Sequence, residues 1–468
     1  MSGKNHERDL SPREKRSFCL GLFTTTLFLT GLFALFAQPT EAKTWYIKAD
    51  GTGDAPTIQA GVDSAVVGDT VLVGPGAYSD AVPVEVWGWN VMANVHATKS
   101  VSIIGENNGQ GVTIDGSGSQ ISIFVEGSGT VALVRHLTMT RNLPFGGCII
   151  DLASREPVQA FETLGILCQN GTVTLEENSM RDNAGIEIYL AGAEGHIIGN
   201  EVNGAGMGIY CGPGSNVEIV NNQFVRCVNP ISGEASHIVI SDNVVDGADR
   251  RDTCQGFILF GGRVSVSRNE ITGTKFEAIS LGAQADATIE NNTITGCTTG
   301  LYLAGGDSTA ARGNVFYGCG WAIDALVAPY ALIENNTFDA NDTGVLCQVG
   351  TAPIIRNNII VRGGGGIICD AGSAPMFECN DLFQVGDPYY GCGDQTGVNG
   401  NISVDPEFCG IDDSGNYFLQ SDSPCAPGNH PGGDECGLIG ALGVNCGNVL
   451  TKDRSWGALK ALFKEEVR

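Results

Sequence analysis

The chain has 468 residues, sets 52 acidic against 26 basic side chains for a net charge of −26, and combines 66 glycines with only 7% aromatic residues. That excess of negative charge disfavours nucleic acid and anionic membrane surfaces as partners. A chain of this length ordinarily divides into about two or three domains, unless internal repetition lets one elongated unit grow without one enlarged core.

Residues 1–42 read as an export signal. Lys4, Arg8, Arg13, Lys15 and Arg16 precede an uncharged apolar run from Phe18 to Ala37, and Pro39, Thr40 and Ala42 supply the small-residue region for cleavage. Cleavage after Ala42 removes five basic and four acidic groups and takes the net charge to −27. The apolar run is 20 residues long, so an uncleaved anchor is the alternative. Either way the remainder is expected outside the cytoplasm, extracellular or at the cell surface, with no membrane span in the mature chain.

Next come four short runs, WYIKADGTGD (Trp45–Asp54), PTIQAGVD (Pro56–Asp63), GDTVLV (Gly68–Val73) and PGAY (Pro75–Tyr78). Trp87 and Trp89 then fall on one side of a strand. Core packing of the first coils is the preferred reading for the pair, stacking on sugar rings the other.

From here the chain repeats. Asn178, Asn200, Asn222, Asn243, Asn269, Asn292, Asn314, Asn336, Asn358 and Asn380 recur at intervals of 22 residues, with exceptions of 21, 26 and 23, each followed two residues later by an apolar side chain. One unit reads Gly or Ala, apolar, any, apolar, a Gly-containing turn, a short alternating run, then Asn. Apolar residues two apart mark strands, and the frequent glycines exclude helical repeats. Such a coil holds three short strands, so the expected fold is all-β, a solenoid of about 22-residue coils forming a right-handed parallel β-helix. If each coil climbs one strand spacing of about 4.8 Å, the asparagines stack as a polar ladder at a bend whose left-handed conformation they tolerate.

The four N-terminal runs together with the Asn-x-apolar repeats resemble the pectin-lyase-like β-helix proteins. The resemblance implies a short helix capping the N-terminal end, and a β-helix with its cap over residues 43–382. It implies a scaffold more than an activity.

Two positions before the asparagines stand Glu290, Arg312, Glu334, Arg356 and Glu378, which predicts a ladder of alternating charge on the outside of one sheet. Cys227, Cys297 and Cys319 follow their asparagines by five residues, and Cys211, Cys347 and Cys369 by eleven. This register places Cys297 over Cys319 and Cys347 over Cys369. Disulfides between coils are sterically allowed there, and buried apolar thiols are the preferred reading.

Residues 383–447 lose the repeat and are rich in Gly, Pro and Asp. Cys379, Cys392, Cys409, Cys425, Cys436 and Cys446 predict three disulfides of unassigned pairing in an exported segment. VDPEFC (Val404–Cys409), SPCA (Ser423–Ala426) and CGLIGA (Cys436–Ala441) resemble the closing segment of exported bacterial β-helix proteins, which implies a cap over the last coil. In the tail, 448–468, Trp456, Leu459 and Phe463 at helical spacing predict an amphipathic helix.

The interval that breaks the period, after Asn243, is the candidate site. Asp249, Arg250, Arg251 and Asp252 are candidate catalytic groups, and Arg181, Asp182, Arg226, Asp246 and Lys275 on nearby turns are candidate substrate-binding groups. A lyase needs a base and a cation to hold an enolate, and a glycosidase needs two carboxylates. A solvated turn is the alternative. The five histidines of the mature chain show no ligand spacing, so no metal or other cofactor is expected, though bound Ca²⁺ or a local basic patch would let this acidic surface hold an acidic sugar. The motifs of pectin methylesterases, polygalacturonases and alginate epimerases are missing. The favoured function is therefore an exported, non-catalytic β-helix that binds a polysaccharide, a cell-surface glycan or a partner, or serves structurally. The alternative is a carbohydrate-active enzyme, a polysaccharide lyase or glycosidase, with its groove near residues 246–252.

Overall fold

The structure, a computed structural model, describes residues 42–446 less 141, 143–148, 151–156, 159–162, 182, 184, 248–253, 283–284, 306–307, 328–329, 349, 411–415 and 434–435. The predicted leader, apart from Ala42, and the predicted tail helix lie outside the described residues.

The chain coils through three long sheets. Sheet A has 14 strands, from Thr44–Ile47 to Met376–Glu378; sheet B has 13, from Gly76–Tyr78 to Asp381–Phe383; sheet C has 14, from Val82–Val86 to Asp387–Tyr390. One coil takes Thr172–Glu176 in sheet A, Ser179–Arg181 in sheet B and Ile186–Ala191 in sheet C. Each strand then pairs in parallel with its equivalent one coil on, as Val173 with Gly195 and Ile188 with Ile209. The antiparallel exception in the long sheets is the hairpin Val82–Val86 with Trp89–Ala97 that opens sheet C. Alternation along the strands sends Val173, Leu175, Met180, Ile188 and Leu190 inward to one continuous apolar core.

Helix Ile58–Ser64 closes the N-terminal end, as the resemblance implied. Thr57 caps it by accepting the Ala60 N–H at 3.1 Å, and its buried face carries Ile58 and Val62. Gly61 is needed where the helix meets the first coil: a Cβ there would stand 2.8 Å from Ile47 Cδ1.

The asparagine ladder is continuous. Each Oδ1 accepts the backbone N–H of the preceding rung at 2.8–3.1 Å, from Asn178 to Asn200 through to Asn358 and Asn380. It gains an eleventh rung that the 22-residue pattern does not reveal, Asn401, which accepts from Asn380 at 3.0 Å. The bend corrects one expectation. The left-handed residue is the one before each asparagine, such as Asn221 (φ 56°), Arg268 (φ 55°) and Asn357 (φ 56°), while the ladder residue keeps its amide free to bond along the stack.

The charge ladder stands from Glu290 to Arg356, with Arg312 bound to Glu290 at 3.6 Å and Glu334 at 3.1 Å, and Arg356 bound to Glu334 at 2.7 Å; Glu378 lies beside Arg356 in the next strand. Cys297 and Cys319 are buried free thiols, as is Cys347. Trp87 and Trp89, expected in the core, are instead 38% and 49% exposed, because they sit at the turn of the opening hairpin.

The C-terminal segment carries three disulfides, Cys369–Cys392, Cys379–Cys436 and Cys409–Cys446. This corrects the expected set: Cys369 of the repeats is recruited, and Cys425 is left free, its thiol donating instead to Asp381 Oδ2 at 3.1 Å. The position of the cap is also more than a lid on the last coil. Residues 398–404 continue the stack, with Ile402 bridging Asp381 and Asn399 O accepting the Cys379 N–H. The chain then folds back along the outer face of sheet B, where Phe408, Tyr417, Leu419 and Ile439 bury Val315, Ile359 and Val361 in a second core. Tyr417 donates to Asp339 at 2.8 Å, and Asn335 donates to Leu438 O at 2.6 Å.

Candidate functional site

The 26-residue interval widens the turn between sheets B and C. Asp249, Arg250, Arg251 and Asp252, with Asp182, lie outside the described residues. Three of the other predicted groups do gather around that turn. Asp246 ends strand Val244–Asp246, and its carbonyl accepts the Arg226 N–H at 3.2 Å; on the far side, the Lys275 N–H donates to Cys254 O at 2.8 Å. The Arg226 guanidinium is engaged locally, donating from Nε to Asn203 Oδ1 at 3.1 Å. Arg181 is not brought to them. It shares the outward column of sheet B with Asp246, but Asn203 and Val225 stand between, three strand spacings or about 14 Å away.

That turn borders the outer face of sheet C, which changes character along its length. Over the first strands the outward residues are apolar and covered: Ile121, Phe124, Leu164, Leu167, Ile186 and Tyr189 form a satellite core with Val84 and Val86 of the hairpin. Past strand Asn229–Gly233 the face opens. One outward column runs Glu277, Thr299, Trp321, Thr343, and the next runs Ser280, Tyr302, Asp324, Leu346. Trp321 is 44% exposed and Phe276, beside Glu277, is 46% exposed. Phe260 stands on the opposite margin, its ring over Gly282, where an added Cβ would lie 2.0 Å from the ring.

Asp324 is the unusual group of this face. It is 7% exposed, and among the described residues it has no cation partner; Gln348 Nε2 donates to its Oδ1 at 2.8 Å. Burial holds its carboxyl above the ordinary carboxylate range, the Gln348 bond opposes this, and the charges of Asp370 and Glu277 add to it. Burial, with the charges of Asp324 and Glu277, likewise raises the Tyr302 hydroxyl. Acidic groups thus converge on the open face, while Lys275 stands at its margin.

Sequence reasoning missed Tyr302, Trp321 and Asp324. The signal was the unconstrained middle position of the repeat, between its two apolar residues, which is the outward column holding Tyr302, Asp324 and Leu346. A separate cavity of about 1250 Å³ lies at the C-terminal end between Arg356, Glu378, Asn399 and His430, and none of the predicted site residues lines it.

Residues 231–382 match the family described as right handed beta helix region. The fold is the right-handed parallel β-helix. Among solved structures this β-helix is similar to the alginate lyase AlyGC, at 14% identity and a TM-score of 0.52, covering 88% of this chain and 60% of that one. It is also similar to PfbA, a surface adhesin of Streptococcus pneumoniae, at 11% identity and a TM-score of 0.44, covering 70% of this chain and 85% of that one. Pectate lyase Pel9A aligns at 14% identity and a TM-score of 0.31, covering 87% and 97% of the two chains. No curated protein matches the sequence. At these identities the likeness establishes the fold alone.

Proposed function

We propose that the chain is an exported β-helix that holds a neutral polysaccharide along the open outer face of sheet C. The observation that carries this reading is the change of that face from a covered apolar surface to an open one bearing Tyr302, Trp321 and Phe276 among hydrogen-bonding side chains. Aromatic rings supply flat apolar area for the faces of sugar rings, and the strand spacing sets them out along the stack. The convergence of Glu277, Asp324 and Asp370 favours an uncharged sugar over a uronate. Three disulfides support an oxidising compartment outside the cytoplasm.

The test is retention of the purified protein on immobilised neutral and uronate polysaccharides, with and without Ca²⁺. Retention on a neutral polymer, weakened at least tenfold by Tyr302→Ala with Trp321→Ala, supports the reading. Retention confined to uronates, or undiminished in that double variant, overturns it.

A second reading, hydrolysis of the bound glycan, is favoured by Asp324 alone: burial raises its carboxyl, the direction that suits a group protonating a glycosidic oxygen, with a second carboxylate activating water. New reducing ends that disappear in Asp324→Asn support this reading. If product persists in Asp324→Asn and is lost with Arg250→Ala and Arg251→Ala, the reaction belongs to the 246–252 turn instead.

A further inference from the structure

We propose that Cys297 and Cys319, which the structure holds as unbridged thiols, are joined on oxidation by a disulfide that staples two consecutive coils beside the open face of sheet C. They occupy the same register position 22 residues apart, each two residues past strands whose ends, Thr295 and Tyr317, are paired. The coils are bonded at that turn, where the Gly320 N–H donates to Cys297 O at 3.0 Å. Both thiols are buried at that turn, Cys297 Sγ donating to Thr295 O at 3.4 Å and Cys319 Sγ to Tyr317 O at 3.8 Å. The same one-coil step is already bridged elsewhere in this solenoid: Cys369 and Cys392 lie 23 residues apart with Cα atoms 5.4 Å from each other, within the span a disulfide accepts.

The reaction is thiol–disulfide exchange with a disulfide donor such as oxidised glutathione. The Cys297 thiolate attacks the donor and expels one thiolate, and the Cys319 thiolate then displaces the second from the mixed disulfide. Two thiol protons and two electrons leave the protein, and the donor is reduced to two thiols. Because both sulfurs are buried in the finished coil, the exchange belongs to folding. The inference rests on the export reading, which supplies the oxidising compartment.

Protein recovered from an oxidising compartment is denatured with iodoacetamide and no reductant, then cut with trypsin. Cleavage after Lys275, Arg312 and Arg356 puts Cys297 on 276–312 and Cys319 on 313–356. The latter also holds Cys347, so the full chain carrying Cys347→Ser is analysed in parallel. The expected result is the linked pair of peptides, two hydrogens lighter than their sum, with Cys168, Cys211 and Cys425 alkylated. Alkylation of both Cys297 and Cys319 in a sample that retains Cys369–Cys392 overturns the proposal. Where Cys369–Cys392 is also reduced, the export reading has failed instead, and the chain is refolded in a glutathione redox buffer. The Cys297–Cys319 link must form there, and its absence beside a restored Cys369–Cys392 overturns the proposal equally.

Discussion

From Asn200 to Asn401, each buried asparagine of the ladder serves two donors of the preceding coil. Asn314 Oδ1 accepts the Asn292 N–H at 3.0 Å and its Nδ2 at 2.9 Å, and Asn314 Nδ2 donates to Ile289 O at 2.8 Å. Asn314→Ala leaves these groups without partners in the core, and an expected loss of about 3 kcal/mol should appear as a lower urea midpoint. Glu334, outside on the charge ladder, is itself half-buried but pairs with solvent-exposed Arg312 and Arg356 guanidinium groups, so Glu334→Gln is expected to cost about 1 kcal/mol, and less in high salt. Asp381 gives a pH dependence of defined sign. Burial under the cap raises its carboxyl from 3.8 to about 6, against the opposing Val404 and Cys425 bonds. The folded state therefore binds the proton more tightly than the unfolded chain. Its contribution is fully present below about pH 4 and is lost as pH rises to about 6, roughly 3 kcal/mol over that window. Asp381→Asn should flatten this part of the stability–pH profile measured by chemical denaturation; an unchanged slope would place its cause elsewhere.

At the scale of strands, sheet B shows how one sequence position changes meaning along the stack. Its outward column runs Val244, Glu270, Thr293, Val315, Thr337 and Ile359, paired one to the next. Ile359 is fully buried by the cap, whereas Thr293 is exposed. Ile359→Ser is expected to cost about 3 kcal/mol in thermal denaturation and Val244→Ser under about 1 kcal/mol, although both positions lie on the outside of the coil. The coils were legible because inward residues two apart, repeated every 22, leave one stacking register. The cap's seat was not read, though its trace was present: the outward positions turn from Glu270 and Thr293 to Val315 and Ile359 as the cap begins to cover them. Disulfide pairing was not legible, because Cys369 belongs by register to the repeats and joins the cap only through the position of Cys392. Asp324 was hidden for a related reason. A repeat pattern records what the core requires, and Tyr302 and Asp324 sit at the position the core leaves unconstrained.

Taken as one molecule, Thr44–Arg468 gives its three sheets three different exteriors. Sheet A carries the alternating charges of Glu290, Arg312 and Glu334; sheet B is covered late in the chain by the cap; sheet C is covered early by the hairpin and open afterwards. On the proposed function, the open stretch is where a long ligand lies along successive coils, and its acidity is expected to select against uronates. The most direct measurement is a crystal structure of the protein soaked with a neutral oligosaccharide drawn from the polymer that retains it. The account predicts sugar density across the outer face of sheet C, with rings against Tyr302 and Trp321 and a hydroxyl within hydrogen-bonding reach of Asp324. Sugar seated instead on sheet A, on the cap, or at the C-terminal cavity by His430, with sheet C bare, would contradict it.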